Sequence, residues 1–143
     1  LLHEPSILIL DEPTAGLDTQ SRHMLWELVR GLNSDGRTVF LTTHYMDEAE
    51  VLCDRVAVID HGRIIRIGTP KELCESIGIW AVEFIDDGIK GCRYFDSWEE
   101  SKRFQDSFPP GSSVASRRTN LEDVFLELTG RDVQATEEVR YRI

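Results

Sequence analysis

From Ile7 to Leu10 four apolar residues run without a polar break, and Asp11 and Glu12 follow at once. A short, uniformly apolar run predicts a strand covered on both faces, as in parallel sheets. The period then changes. Met24, Leu25, Leu28, Val29 and Leu32 recur at helical spacing, which predicts a helix from about Thr19 to Asn33 with Asp18 as its N-cap. That spacing leaves Arg22, Glu27 and Arg30 toward solvent. Asp35-Gly36 ends the helix, Thr38 to Leu41 reads as a second strand, and His44 lies just beyond it. Asp47 to Leu52 follows as a short helix with Glu48 and Glu50 exposed.

Further on, Arg55 to Ile59 and Ile64 to Ile67 predict two strands joined by the turn Asp60-His61-Gly62-Arg63. Thr69, Pro70 and Glu72 carry the signals of a helix start: a cap, a proline at the first position and a capping-box partner. That helix runs to about Ile77, and residues 78 onward form a second unit. Ile79 to Ile85 is a strand candidate, followed by the turn Asp86-Asp87-Gly88. Ser97 opens a helix to Phe104 or Ser107, Pro109-Pro110-Gly111 stops it, and Ser112 to Ser116 is a further strand candidate. The last helix begins at Thr119-Asn120-Leu121, carries Leu121, Val124, Phe125 and Leu128 on one face, and ends at Gly130. Residues 132–143 are polar and expected to fray. The alternation of strands and helices predicts an α/β fold with parallel core strands and a small α/β appendage.

Adjacent carboxylates at the carboxyl end of a strand stand where open α/β sheets bind ligands. Asp11 there can hold Mg²⁺, and Glu12 can polarise a water that attacks a terminal phosphate. The plainer reading is a core strand capped by a polar turn. Against it stands the order of features: strand, acid pair, glycine-containing loop, helix, second strand, histidine. A right-handed crossover between parallel strands would bring His44 to the same rim as Asp11 and Glu12. His3, His23 and His61 have no partners at ligand spacing and read as surface residues.

Charge and composition narrow the classes. The formal net charge is −10 and both halves are acidic, which opposes nucleic-acid binding. No run approaches the roughly 18 apolar residues that a membrane span needs. Cys53, Cys74 and Cys92 are odd in number and lack C-x-x-C spacing, so reduced thiols are expected rather than a disulfide frame or a metal site.

ILILDEPTAGLD, then LTTHYMDEAE, CDRVAVIDHGRI and GTPKEL, resemble the second half of an ABC transporter ATP-binding subunit, a P-loop NTPase. The resemblance runs from residue 1 to about 130. It implies that Asp11 is the Walker B aspartate on Mg²⁺ and Glu12 the catalytic glutamate. It makes Ala15-Gly16-Leu17-Asp18 the D-loop, with Gly16 and Asp18 at the nucleotide, and His44 the switch histidine at the γ-phosphate. It also implies ATP and Mg²⁺ as cofactors, a membrane-spanning permease and a second nucleotide-binding subunit as partners, and a cytoplasmic place on the inner face of the membrane. The organisation expected is residues 1–77 as the carboxy-terminal part of the nucleotide-binding domain, 78–131 as an accessory domain, and 132–143 as a tail.

No G-x-x-x-x-G-K-[ST] loop or LSGGQ-like signature occurs in these residues, so the chain is expected to be a fragment that binds ATP poorly by itself. NLEDVFLELTGR resembles the closing motif of daunorubicin-type drug-resistance exporters and nodulation-factor exporters, which work with ABC-2 type permeases. In such subunits the tail is thought to serve dimerisation or regulation, with the Leu121–Leu128 stripe turned to another subunit. Two other readings stay open: an ABC-type ATPase of DNA repair or translation, and a truncated, non-enzymatic dimerisation module.

Overall fold

The computed structural model describes residues 5–130, so His3 and the expected tail 132–143 lie outside the described residues. The chain divides into two units, Leu1–Cys53 and Asp54–Ile143.

In the first unit, β1 (Ile7–Asp11) leads through α1 (Thr19–Ser34) into β2 (Thr38–Thr42), and α2 (Met46–Leu52) follows. β1 and β2 are parallel and in register, Ile7 opposite Thr38 and Asp11 opposite Thr42. The Asp18 carboxylate starts α1 by accepting the Ser21 amide at 2.7 Å. Gly36 follows the helix at φ +82°, a left-handed conformation that suits glycine.

Burial departs from the uniform pattern expected of β1. Leu8, Leu10, Val39 and Leu41 are half-buried, and α1 packs on β2, but Ile7, Ile9 and Phe40 on the opposite face are exposed, Ile9 to 72%. Uniform apolarity shows that a strand tolerates cover on both faces; it does not supply the cover. In α1 the buried stripe is Val29 with Leu25 and Leu32, whereas Met24 and Leu28 point outward and Arg22 is half-buried. The face of α1 that packs on β2 covers only one of two overlapping apolar stripes. Glu48, expected in solvent, is fully buried and accepts the Trp26 indole N–H at 3.1 Å. The indole partner was hidden in the sequence, because Trp26 lies 22 residues away on the facing helix.

The second unit opens with a hairpin of β3 (Val56–Asp60) and β4 (Arg63–Gly68). Its two-residue loop, His61-Gly62, has positive φ at both positions, as a type I′ turn requires. α3 (Pro70–Glu75) starts with the expected reciprocal capping box between Thr69 and Glu72. β5 (Trp80–Asp86) is central in a three-stranded antiparallel sheet, between β6 (Ile89–Phe95) and β7 (Val114–Arg118). α4 (Trp98–Asp106) packs on that sheet through Phe104, which meets the rings of Phe84, Phe95 and Phe108. Gly91 is necessary in β6, since a Cβ there would lie 2.4 Å from the Phe84 ring. α5 (Leu121–Thr129) has a second capping box, between Asn120 and Asp123, and ends at Gly130 in the left-handed conformation. Leu121 and Val124 are buried within this unit and α5 packs on α3, so these two serve the chain's own core, while Phe125 and Leu128 of the same stripe are half-buried.

Candidate active site

Parallel pairing in register fixes the site. Because Asp11 is opposite Thr42 at the carboxyl ends of β1 and β2, both side chains project on the same face of the sheet. The Thr42 hydroxyl donates to Asp11 Oδ1. One residue on, the Glu12 amide donates to the Thr42 carbonyl at 2.9 Å and to the Thr42 hydroxyl oxygen at 3.2 Å. Thr42 therefore ties the Asp11 side chain to the Glu12 backbone.

Glu12 has φ +47°, a left-handed conformation that an L side chain adopts only at a cost. The fold holds it there through those two amide bonds and through the turn that follows, in which the Ala15 amide reaches the Glu12 carbonyl at 3.1 Å. The bend carries the Glu12 side chain off the strand line toward His44. His44 Nδ1 lies 2.5 Å from Glu12 Oε2, a short contact between side chains that are each a little over one-third exposed. The sequence-predicted Asp11, Glu12 and His44 thus stand together at one sheet rim.

Gly16 and Asp18 occupy the connection from β1 to α1. Gly16 has φ +76° with open space where a Cβ would be, which is a requirement of loop geometry. Asp18 caps α1, and the Ser21 backbone and side chain hold its carboxyl below the ordinary aspartate value. Neither residue makes a described contact with Glu12 or His44.

Two contributors escaped the sequence reading. Thr42 carried a findable signal: a hydroxyl-bearing residue ending a strand parallel to β1. Tyr45 carried none, because its ring meets the His44 ring at 4.2 Å on one side and the Arg22 guanidinium at 4.4 Å on the other, and Arg22 belongs to α1.

The donor set suits one kind of metal. Among the described residues no group of three or more His, Cys, Asp and Glu could hold a metal ion by itself. A single carboxylate beside a hydroxyl fits Mg²⁺ bound chiefly through water and substrate phosphates, the way Mg²⁺ sits in nucleotide enzymes. No helix among the described residues is long and apolar enough to cross a membrane.

No protein-family model matches the chain. Relatives do. The chain is 41% identical to Nod factor export ATP-binding protein I of Burkholderia orbicola (strain AU 1054), over 94% of the chain and 50% of that protein. It is 40% identical to the same-named proteins of Ralstonia nicotianae and Sinorhizobium fredii, again over 94% of the chain and over 50% and 45% of theirs. A solved ATP-binding subunit of an ABC transporter is 33% identical with a TM-score of 0.47, over 51% of this chain and 30% of that one. The chain spans about half the length of the curated relatives it matches. Over nearly its whole length the chain is therefore similar to a part of ABC transporter ATP-binding subunits.

Proposed function

We propose that this segment supplies the hydrolytic residues of an ATPase site, completed by the rest of a longer subunit that powers an exporter. The observation that carries the reading is the 2.5 Å contact between Glu12 and His44, beside an Asp11 oriented by Thr42 at one strand rim. Each group has a task suited to its place. Asp11, with one carboxylate oxygen taken by Thr42, has the other for Mg²⁺ or its waters. Bound Mg²⁺ would neutralise charge on the β- and γ-phosphates of ATP. Glu12 accepts a proton from the attacking water. His44 fixes the Glu12 carboxylate through Nδ1 and, by the family resemblance, would stand at the γ-phosphate. Such sites act chiefly by positioning and electrostatics, and the tie through Thr42 holds Asp11 and the Glu12 backbone in place.

The relatives carry export in their names, which supports an exporter over an importer, and the tail resemblance supports an ABC-2 type permease as partner. The cargo would be a drug, a lipid or a lipo-oligosaccharide. Gly16 and Asp18 would meet the second nucleotide-binding subunit, and the assembly would sit at the cytoplasmic face of the membrane through its permease. The test is Glu12→Gln in the complete subunit. ATP binding should persist while turnover falls by roughly 10²- to 10⁴-fold, the range for loss of a general base. Turnover within a few-fold of the parent would remove Glu12 from this role.

A further inference from the structure

β6 lies at one edge of the three-stranded sheet, and among the described residues no strand pairs with its outer side. Unpaired N–H and C=O groups on such an edge are a template for another strand, so edges are normally kept short, bulged, charged or covered. β7, the opposite edge, follows that rule: it is five residues long and ends in Arg117-Arg118. β6 follows it less well. It runs seven residues, holds no proline and pairs with β5 without a register shift. It begins at Ile89, which is 73% exposed, and its only charges are Lys90 and Arg93.

We propose that β6 pairs antiparallel with β6 of a second copy of this chain, about a twofold axis at Cys92, joining the two sheets into one. The contact concerns the second unit alone and does not depend on the proposed function. Cys92 is the middle residue of the strand, so centring there engages all seven residues. Ile89 then stands opposite Phe95, Lys90 opposite Tyr94, and Gly91 opposite Arg93, each pair made twice by the symmetry. No cation faces a cation. Centring on Lys90 or Arg93 would set like charges directly opposite, which destabilises a strand pair. The helices also have room. α4 packs on β5 and on both of its neighbours, so its two copies would be centred three strand spacings apart, about 14 Å. Helices pack at about 8–10 Å.

Charge complementarity favours a second copy over a foreign strand. Lys90 and Glu127 are both exposed, and neither makes a described ion pair. Glu127 of α5 lines an open hollow of about 440 Å³ beside β6, with Ile77, Cys92, Arg93, Tyr94 and Phe95. The Tyr94 hydroxyl lies 3.4 Å from Asp123 of α5, so Tyr94 and α5 share one side of the sheet. Lys90 projects to that same side, four residues before Tyr94 along the strand. In the paired copies each Lys90 stands opposite the other copy's Tyr94, at the hollow that holds the other copy's Glu127. A cation and a carboxylate that lack partners in one copy thus complete each other in two.

The experiment follows the 143-residue chain by sedimentation velocity over a wide range of concentration. A single strand pair is small beside a standard interface of roughly 1,600 Å², so a dimer that dissociates in the micromolar range is expected. Ile89 and Phe95 lie at opposite ends of β6, about 20 Å apart within one copy. Nuclear Overhauser contacts between them, seen in an equal mixture of isotope-labelled and unlabelled chain, therefore report the pairing itself. Lys90→Glu and Glu127→Lys should each weaken the dimer at least about tenfold, because each sets like charges against each other twice. An equimolar mixture of the two variants should recover the parent affinity to within about threefold, since both contacts then join opposite charges. A chain that stays monomeric overturns the proposal, whether β6 is open or covered within the chain. So does a dimer without the Ile89–Phe95 contact, and so does a mixture no tighter than its single variants.

Discussion

His44 Nδ1 meets Glu12 Oε2 at 2.5 Å, although the two residues are 32 apart in the chain and leave the ends of different strands. Neither strand aims its side chain at the other. Glu12 gets there by a left-handed backbone turn at φ +47°, secured by two amide bonds to Thr42, and His44 by the chain's exit from β2. Backbone strain of this kind, held by surrounding bonds, clusters at active sites, which supports the role proposed for Glu12.

On the proposed function Glu12 and His44 act through one contact, so their losses should not add. We expect Glu12→Gln and His44→Ala each to cut turnover steeply in the complete subunit, and the double variant to be no more than a few-fold worse than the worse single one. Steady-state ATPase rates for the four proteins make the cycle. Fully multiplicative losses would show that the residues work independently.

Thr42 offers a cleaner probe, since Thr42→Val keeps the shape and removes only the hydroxyl. The Glu12 amide keeps its bond to the Thr42 carbonyl, but Asp11 loses its donor. A hydrogen bond to a charged group contributes about 1.5–3 kcal/mol. The Mg²⁺ concentration for half-maximal turnover should therefore rise about tenfold or more, with Thr42→Ser near the parent. A Mg²⁺ dependence unmoved by Thr42→Val would mean that Asp11 does not depend on this bond.

Local signals in the sequence carried most of the elements. The cap at Asp18, the box at Thr69 and the glycine at 130 are short-range rules, and the structure keeps them. β6 was not legible, because Lys90, Gly91, Cys92 and Arg93 break any alternation and Gly91 answers to the Phe84 ring across the sheet. β7 lies two residues later than expected, at Val114–Arg118, where pairing with β5 sets its extent. At the site, residue types and order pointed to Asp11, Glu12 and His44, whereas Tyr45 and Arg22 meet only through packing of α1 beside α2. Glu48 shows the same limit: its burial depends on an indole that no periodicity could pair with it.

The cap of α1 should be sensitive to acid. The Ser21 backbone and side chain hold the Asp18 carboxyl below its ordinary value of 3.8, so the charged form is the one that the fold prefers. A lowered folded-state pKa means that the cap's contribution is complete above the ordinary value and is lost as pH falls through the depressed one. Following the Ser21 amide by NMR should show a titration with its midpoint below 3.8. Asp18→Asn should abolish that titration and keep the helix start, since asparagine caps comparably. A midpoint at or above the ordinary value would contradict the assignment.

Asp123 should matter more to stability than any other single carboxylate of the second unit. It is nearly buried and takes both ends of the Arg117 guanidinium, at 2.6 and 2.8 Å, while also accepting the Asn120 amide at 2.9 Å as half of the α5 capping box. Asp123→Ala removes these three bonds together, and with them the longer one from the Tyr94 hydroxyl at 3.4 Å. Arg117 would still reach Glu83 at 2.8 Å and is itself about one-third exposed, so the full cost of stranding a buried charge does not apply. A loss of about 2–3 kcal/mol is expected, against less for Asp123→Asn, which keeps an acceptor for the Asn120 amide. Hydrogen exchange of the α5 amides from Phe125 onward reads this locally, with protection falling roughly 30- to 150-fold in Asp123→Ala. Arg117→Lys should fall between the parent and Asp123→Ala, because an ammonium cannot reproduce the two-pronged contact. Protection in Asp123→Ala within threefold of the parent would mean that Leu121 and Val124 hold α5 in place without help from the buried ion pair.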